Sequence, residues 1–230
     1  MTGSTGALLL ATLAFVGGHF LLSHPLRAPL ARLVGERAFP GVYSLAIIAA
    51  FVWMLYAYGA APRLELWGKA EWMRWPLVIL MLPACILLVA GLTAPNPMIV
   101  GREKVLASEG AARGIFAVTR HPANWAFAIW AIGHLIMNGD SATVILAGGI
   151  AFLALAGSWA QERRKAGELG EAWRRFAAAT SFVPFVAIAQ GRANFSLREI
   201  GYWRIGGGVL LWAVLLHGHG YIARVSPFGG

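Results

Sequence analysis

An all-helical bundle that crosses a membrane about six times is the fold predicted for this chain, on three observations. Hydrophobic residues make up 58% of its 230 residues and charged ones only 13%, about half the roughly 25% charge of a soluble domain. Uncharged runs approaching the ~20 residues of a spanning helix recur six times along the chain. Lys and Arg crowd into alternate loops, as they do when basic loops stay on the cytoplasmic side. At this length the chain holds one bundle and no second large domain, so 1–230 is read as a single integral membrane domain.

The first run, 6–23, has no basic segment ahead of it, which separates it from a cleaved secretory leader and makes it a retained span. The second is 42–61. The third, 75–92, opens on Trp72 and Trp75, side chains suited to the interface. The fourth, 122–137, begins at Pro122, whose missing N–H costs nothing in a first helical turn. Asn138-Gly139-Asp140 is a turn signal, so the fifth, 141–160, should return antiparallel beside it. The sixth, 206–217, is short and glycine-rich. Between the last two spans, Ala166, Leu169, Trp173 and Phe176 recur at helical spacing, with Glu168 and Glu171 placed to pair with Arg164 and Arg175. That predicts an amphipathic helix on the cytoplasmic face.

Most of the 19 Lys and Arg fall in the loops after the first, third and fifth spans, which puts both termini outside the cytoplasm. A bacterial inner membrane is the expected setting. The net charge of +9 then reports orientation and anionic lipid rather than nucleic acid, which is not an expected partner. The lone Cys85 excludes an internal disulfide and a CxxC metal site.

Thr119-Arg120-His121-Pro122 puts two ionisable residues at the mouth of an uncharged span, where burial is costly. Depth sorts the six histidines. His19 lies near the cytoplasmic end of span one, with His24 just beyond it, and His121 at the cytoplasmic start of span four. His134, His217 and His219 fall toward the outer side. His19 and His121 therefore come from different helices at one depth, and two facing neutral imidazoles are what a membrane haem b requires. Arg27, Arg37, Arg113 and Arg120 share that side and are candidates to neutralise its propionates. Each residue also has a plainer reading. His19 taken alone could hydrogen-bond a neighbouring helix, His121 could be a helix-start residue, and Arg120 an orientation anchor. His134 with His217-Gly218-His219 reads more readily as interhelical contacts than as a second site.

Three ordered sets of residues resemble the NnrU family and its carotenoid-pathway relatives, the 15-cis-zeta-carotene isomerases. One set is His19-Phe20-Leu21-Leu22-Ser23, Arg27, Gly35-Glu36-Arg37-Ala38-Phe39 and Tyr43-Ser44. Another is Gly114-Ile115, Val118-Thr119-Arg120-His121-Pro122, His134 and Asn138-Gly139-Asp140. The last is Gly170-Glu171-Ala172, Thr180-Ser181-Phe182-Val183-Pro184-Phe185 and Gly191-Arg192. The resemblance implies a helical membrane protein that binds haem b, with His19 and His121 as iron ligands and hence the catalytic pair; His24 is the weaker alternative to His19. It further implies cis-trans isomerisation of a poly-cis carotenoid. Such a substrate dissolves only in lipid, and the redox chemistry calls for an electron donor as partner. The thiolate-ligand scheme has no counterpart here, because Cys85 lies in span three.

Two other functions stay open at this level. The NnrU resemblance also implies an accessory or sensory membrane haem protein tied to nitrogen-oxide reduction. Arg-His-Pro at the start of a late span, followed by an acidic helix, is also similar to isoprenylcysteine and phospholipid methyltransferases. That would make S-adenosylmethionine the cofactor, held near Arg120, His121, Glu162, Glu171 and Trp173, although Trp173 stands where those enzymes prefer tyrosine.

Overall fold

The structure is a computed structural model that describes residues 3–99, 101–108 and 110–228. Among them the regular secondary structure is all helical, apart from one isolated bridge between Glu65 and Asp140. Ten α-helices follow in order: α1 Thr5–Ser23, α2 Arg27–Val34, α3 Phe39–Ala60, α4 Arg74–Thr93, α5 Ile115–Val118, α6 Pro122–Asn138, α7 Ser141–Ala179, α8 Val186–Ala189, α9 Leu197–Ile200 and α10 Tyr202–Ala223. Five of the described helices, α1, α3, α4 with the turn before it, α7 and α10, are long and apolar enough to cross a membrane. Large apolar side chains stand exposed along them, among them Leu45 on α3 and Leu210 on α10. That is the pattern of helices whose solvent is hydrocarbon.

Two of the expected spans differ in length. α6 has 17 residues, a rise of roughly 25 Å against a hydrocarbon thickness of ~30 Å, and it is not among the five. The glycine-rich stretch expected to be the short sixth span is instead a full 22-residue helix. Its glycines serve packing: a Cβ at Gly208 would lie 2.6 Å from Ile86 Cα, and one at Gly207 3.3 Å from Val89 Cγ1. Small residues there let α10 approach α4 closely, and Trp212 Nε1 donates to Val78 O across the contact at 2.8 Å.

The fifth span and the helix expected to follow it form one element. α7 runs 39 residues and departs from helical geometry only at Gly170, φ 51°. Even up to that break it rises roughly 40 Å, too long for a single crossing. Its apolar stripe does not face outward: Trp173 and Phe176 are buried against Phe116. Arg164 meets Glu168 at 3.9 Å as expected. Glu171, however, takes Arg174, three residues on, at 2.6 Å, rather than Arg175.

The chain divides into two compact units. One comprises residues 3–71 with Ala131–Leu153. There α1 packs on α3, with Phe15, His19 and Tyr43 in edge-on ring contact. Gly149 lies against Thr12 so closely that a Cβ would collide with the threonine methyl. The expected turn is present. Gly139 takes φ 63°, and Asp140 Oδ1 accepts from the Ala142 and Thr143 amides at 3.1 and 3.0 Å, capping α7. Arg63 pairs with Asp140 at 3.4 Å. The other unit comprises Trp72–Trp130 with residues 154–228, and its core forms where α4, α5, the start of α6 and the second half of α7 meet.

Candidate functional site

The Arg-His-Pro turn is assembled from the backbone outward. α5 ends at Thr119, whose extended backbone (φ −160°, ψ 150°) breaks the helix before Pro122 restarts it. Thr119 Oγ1 donates to Phe182 O at 2.6 Å and accepts from the His121 amide at 3.3 Å. The Arg120 amide donates to Ser181 O at 2.9 Å. The loop after α7 is thereby tied to this turn at two points. On the other side α4 presses in at Gly91, where a Cβ would stand 2.7 Å from Ala123 N and 2.9 Å from Pro122 Cγ.

Both side chains of the turn converge on Glu162 of α7. Arg120 Nε reaches Glu162 Oε1 at 2.6 Å and Nη2 reaches Oε2 at 3.0 Å, a two-pronged pair. Its remaining nitrogen, Nη1, donates to Ala177 O at 3.3 Å and Thr180 O at 3.1 Å, satisfying carbonyls at the end of α7. His121 Nε2 lies 2.9 Å from Glu162 Oε1, with the imidazole side chain 1% exposed. A carboxylate can only accept, so Nε2 carries the proton and Nδ1 the lone pair. Burial, together with the Arg120 charge, pushes the His121 pKa below its ordinary value, against the opposing pull of Glu162. The ring is therefore neutral near pH 7. Phe182 packs on it at 5.4 Å, and the Trp173 ring lies 5.9 Å from the Arg120 guanidinium carbon.

A second anchored group lies one turn along α7. Lys165, also 1% exposed at its side chain, donates to Glu103 Oε1 at 3.2 Å, and Gln161 Nε2 donates to Met98 O at 2.7 Å. These bonds pin Met98 and Glu103 against α7. Burial acts to raise the Glu103 pKa, but its own amide, the Gly101 amide and Lys165 outweigh that and hold it below 4.5. A carboxyl depressed on folding contributes stability that is complete above its unfolded value and is lost as pH falls through the folded one. Lys165→Met, which fills the same volume without the ammonium, should therefore be less stable than the parent near neutral pH, and the gap should narrow as pH falls and Glu103 is protonated. Unfolding midpoints in detergent, from neutral pH down through about 4.5, will show whether the two curves converge.

The sequence-derived candidates divide between the two units. Arg120 and His121 are adjacent members of the cluster just described, and Arg113 is exposed at the turn before α5. His19, Arg27 and Arg37 belong to the other unit. The His19 ring, through Nδ1, lies 3.0 Å from Phe15 O in its own helix, so Nδ1 donates and Nε2 keeps its lone pair. Arg27 pairs with Glu36 at 3.7 Å and sits over the Phe39 ring, while Arg37 is exposed. Glu171 stands outside the cluster, exposed and paired with Arg174. Of the described residues, no three His, Cys, Asp or Glu gather as a metal site, though a two-histidine haem would not require three. Glu162 was named from sequence only for S-adenosylmethionine; its direct hold on His121 was not anticipated. Its signal was present as the first charge after the apolar run 141–160, where a buried Arg120 needs a counter-charge.

Comparison with known proteins adds the family. The chain is 37% identical over 79 residues to the chloroplastic 15-cis-zeta-carotene isomerase of Zea mays. It is 33% identical over 79 residues to the chloroplastic 15-cis-zeta-carotene isomerase of Arabidopsis thaliana. Each match covers 34% of this chain and 22% of the relative. No solved structure matches. The family described as NnrU protein, in contrast, matches over residues 7–227, nearly the whole chain, and this protein belongs to the NnrU family.

Proposed function

We propose that this membrane protein isomerises a cis double bond in a lipid-dissolved poly-cis carotenoid, with haem b as cofactor and His19 and His121 as its ligands. The observation that carries the reading is the likeness to two 15-cis-zeta-carotene isomerases, together with a chain whose helices are apolar enough to share a phase with such a substrate. The two histidines suit the cofactor for different reasons. At His19 the Phe15 carbonyl fixes the ring through Nδ1, leaving Nε2 as a ligand atom, the usual arrangement behind a metal-bound histidine. At His121 the held atom is instead Nε2, whose proton goes to Glu162, leaving the lone pair on Nδ1. Arg120 grips both oxygens of that carboxylate and so fixes the group that orients the ring. Arg27, Arg37 and Arg113 are the candidate partners for propionates; Arg120, the fourth expected from sequence, is committed to Glu162 and to carbonyls at the end of α7.

Bound there, haem supplies an electron-exchanging or coordinating centre that lowers the bond order of the polyene. The chain's own part is to present two imidazoles, keep His121 oriented through Glu162, and offer apolar surface to the substrate. The test pairs spectra with product analysis. The detergent-purified protein should show a Soret band that is lost in His19→Ala and in His121→Ala. Cells that accumulate poly-cis carotene should gain the isomerised product only with the parent protein. A colourless parent overturns the cofactor, and unchanged pigment with an intact Soret band overturns the substrate.

One observation favours a second reading. Arg120, His121, Glu162 and Trp173 converge as the methyltransferase resemblance implies, although Glu171 does not. S-adenosylmethionine binding by colourless purified protein, measured calorimetrically, would put that reading first.

A further inference from the structure

Between α7 and α10 the chain turns through residues 180–201, whose charged side chains are Arg192, Arg198 and Glu199. Phe185 is 54% exposed and Phe195 50%, with Val183 and Leu197 exposed beside them in sequence, and the two phenyl rings meet at 6.1 Å. Phe185 also adopts φ 66°, a left-handed conformation that side chains with a Cβ avoid. It is held there from several directions. Its amide donates to Val118 O at 2.8 Å, and its carbonyl accepts from the Ala189 amide at 2.8 Å. Ser181 Oγ donates to Val183 O at 2.9 Å and accepts from the Ala187 amide at 3.0 Å. A strained backbone fixed by this many bonds is a cue to function, and here it turns an aromatic pair outward.

We propose that the turn carrying Phe185 and Phe195 inserts into the headgroup boundary of the bilayer, its rings at the acyl-chain edge and Arg198 at the level of the lipid phosphates. Two features select lipid over a protein partner. The turn begins where α7 ends and stops where α10 begins, and both helices are apolar enough to cross the membrane, so the surface continues one already exposed to lipid. The side chains that follow, Tyr202 and Trp203, are exposed and of the types that gather at membrane interfaces. Arg192 is not counted with Arg198, because its guanidinium is spent on Ala178 O and Thr180 O at the end of α7.

The single cysteine makes the test direct. On a Cys85→Ala background, Phe185→Cys and Phe195→Cys are labelled with a nitroxide and reconstituted into vesicles of phosphatidylcholine with phosphatidylglycerol. Collision rates with molecular oxygen and with a water-soluble nickel chelate then report depth. Both labels should collide more with oxygen than with the chelate, while a label at exposed Lys104→Cys shows the reverse. Chelate-dominated collisions at positions 185 and 195 overturn the proposal, since the turn is then in water. Shielding from both reagents overturns it too, since protein then covers the turn. Should Phe185→Cys fail to fold, Val183→Cys and Leu197→Cys decide by the same readout.

Discussion

Glu162→Ala is expected to cause the largest loss of stability of any single change near the candidate site. The substitution leaves the Arg120 guanidinium, mostly buried, without its two-pronged partner, and His121 without its hydrogen-bonded carboxylate. Breaking a buried ion pair from one side typically costs about 3–5 kcal/mol, because the remaining charge stays desolvated and uncompensated. The thermal midpoint in detergent should fall accordingly. Glu162→Gln keeps one acceptor oxygen, enough for His121 Nε2 and Arg120 Nε, while its NH2 cannot accept from Arg120 Nη2; its midpoint should fall less. Removing both charges together, Arg120→Leu with Glu162→Leu, should lie closer to the parent than Glu162→Ala does. If the double variant is the worse of the two, the pair is not coupled as its geometry indicates.

Gly91→Val carries the second large effect, and it acts on the site through packing alone. The α4 backbone lies so close to the start of α6 that even a methyl at position 91 would stand 2.7 Å from Ala123 N and 2.9 Å from Pro122 Cγ. One of those contacts is backbone and the other a ring fixed in its own turn, so neither can swing aside. Overpacking of this kind costs about 1–3 kcal/mol, and here the displacement falls on the residue beside His121. The variant should therefore unfold at lower temperature and, if haem is bound, shift or weaken the Soret band without altering any polar group. Gly148→Val is the control: no atom lies within 4 Å of a Cβ built at Gly148, so it should leave both properties near the parent.

Much of this could be read before any coordinates. The all-helical membrane class follows from composition, and the turn at Asn138-Gly139-Asp140 from residue types that favour it. The helix start at Pro122 follows from local chemistry as well. Gly206–Gly208 carries two signals: read for propensity, three glycines shorten a helix, but read for packing Gly207 and Gly208 let a 22-residue α10 lie against Val89 and Ile86. The Trp173 and Phe176 stripe had the right period and a different destination, because periodicity marks which face is apolar without specifying whether lipid or protein covers it.

What sequence alone determined was the class of environment and the polar residues at the start of α6, Arg120 and His121 foremost. Hydropathy and spacing are local properties, set by the residues themselves and their near neighbours. What only the tertiary structure decided was the partner of each nitrogen. Arg120 and Glu162 are far apart in the chain, and their meeting at 2.6 Å depends on how α7 is placed against the start of α6. Gly91 and the hydrogen bonds from Thr119 and Arg120 help to hold that turn in position. The strained Phe185 likewise follows from bonds to Val118 O and Ser181, which no local pattern announces. Long-range contacts of this kind are settled by packing and the pairing of buried polar groups, terms that exist only once the chain has folded.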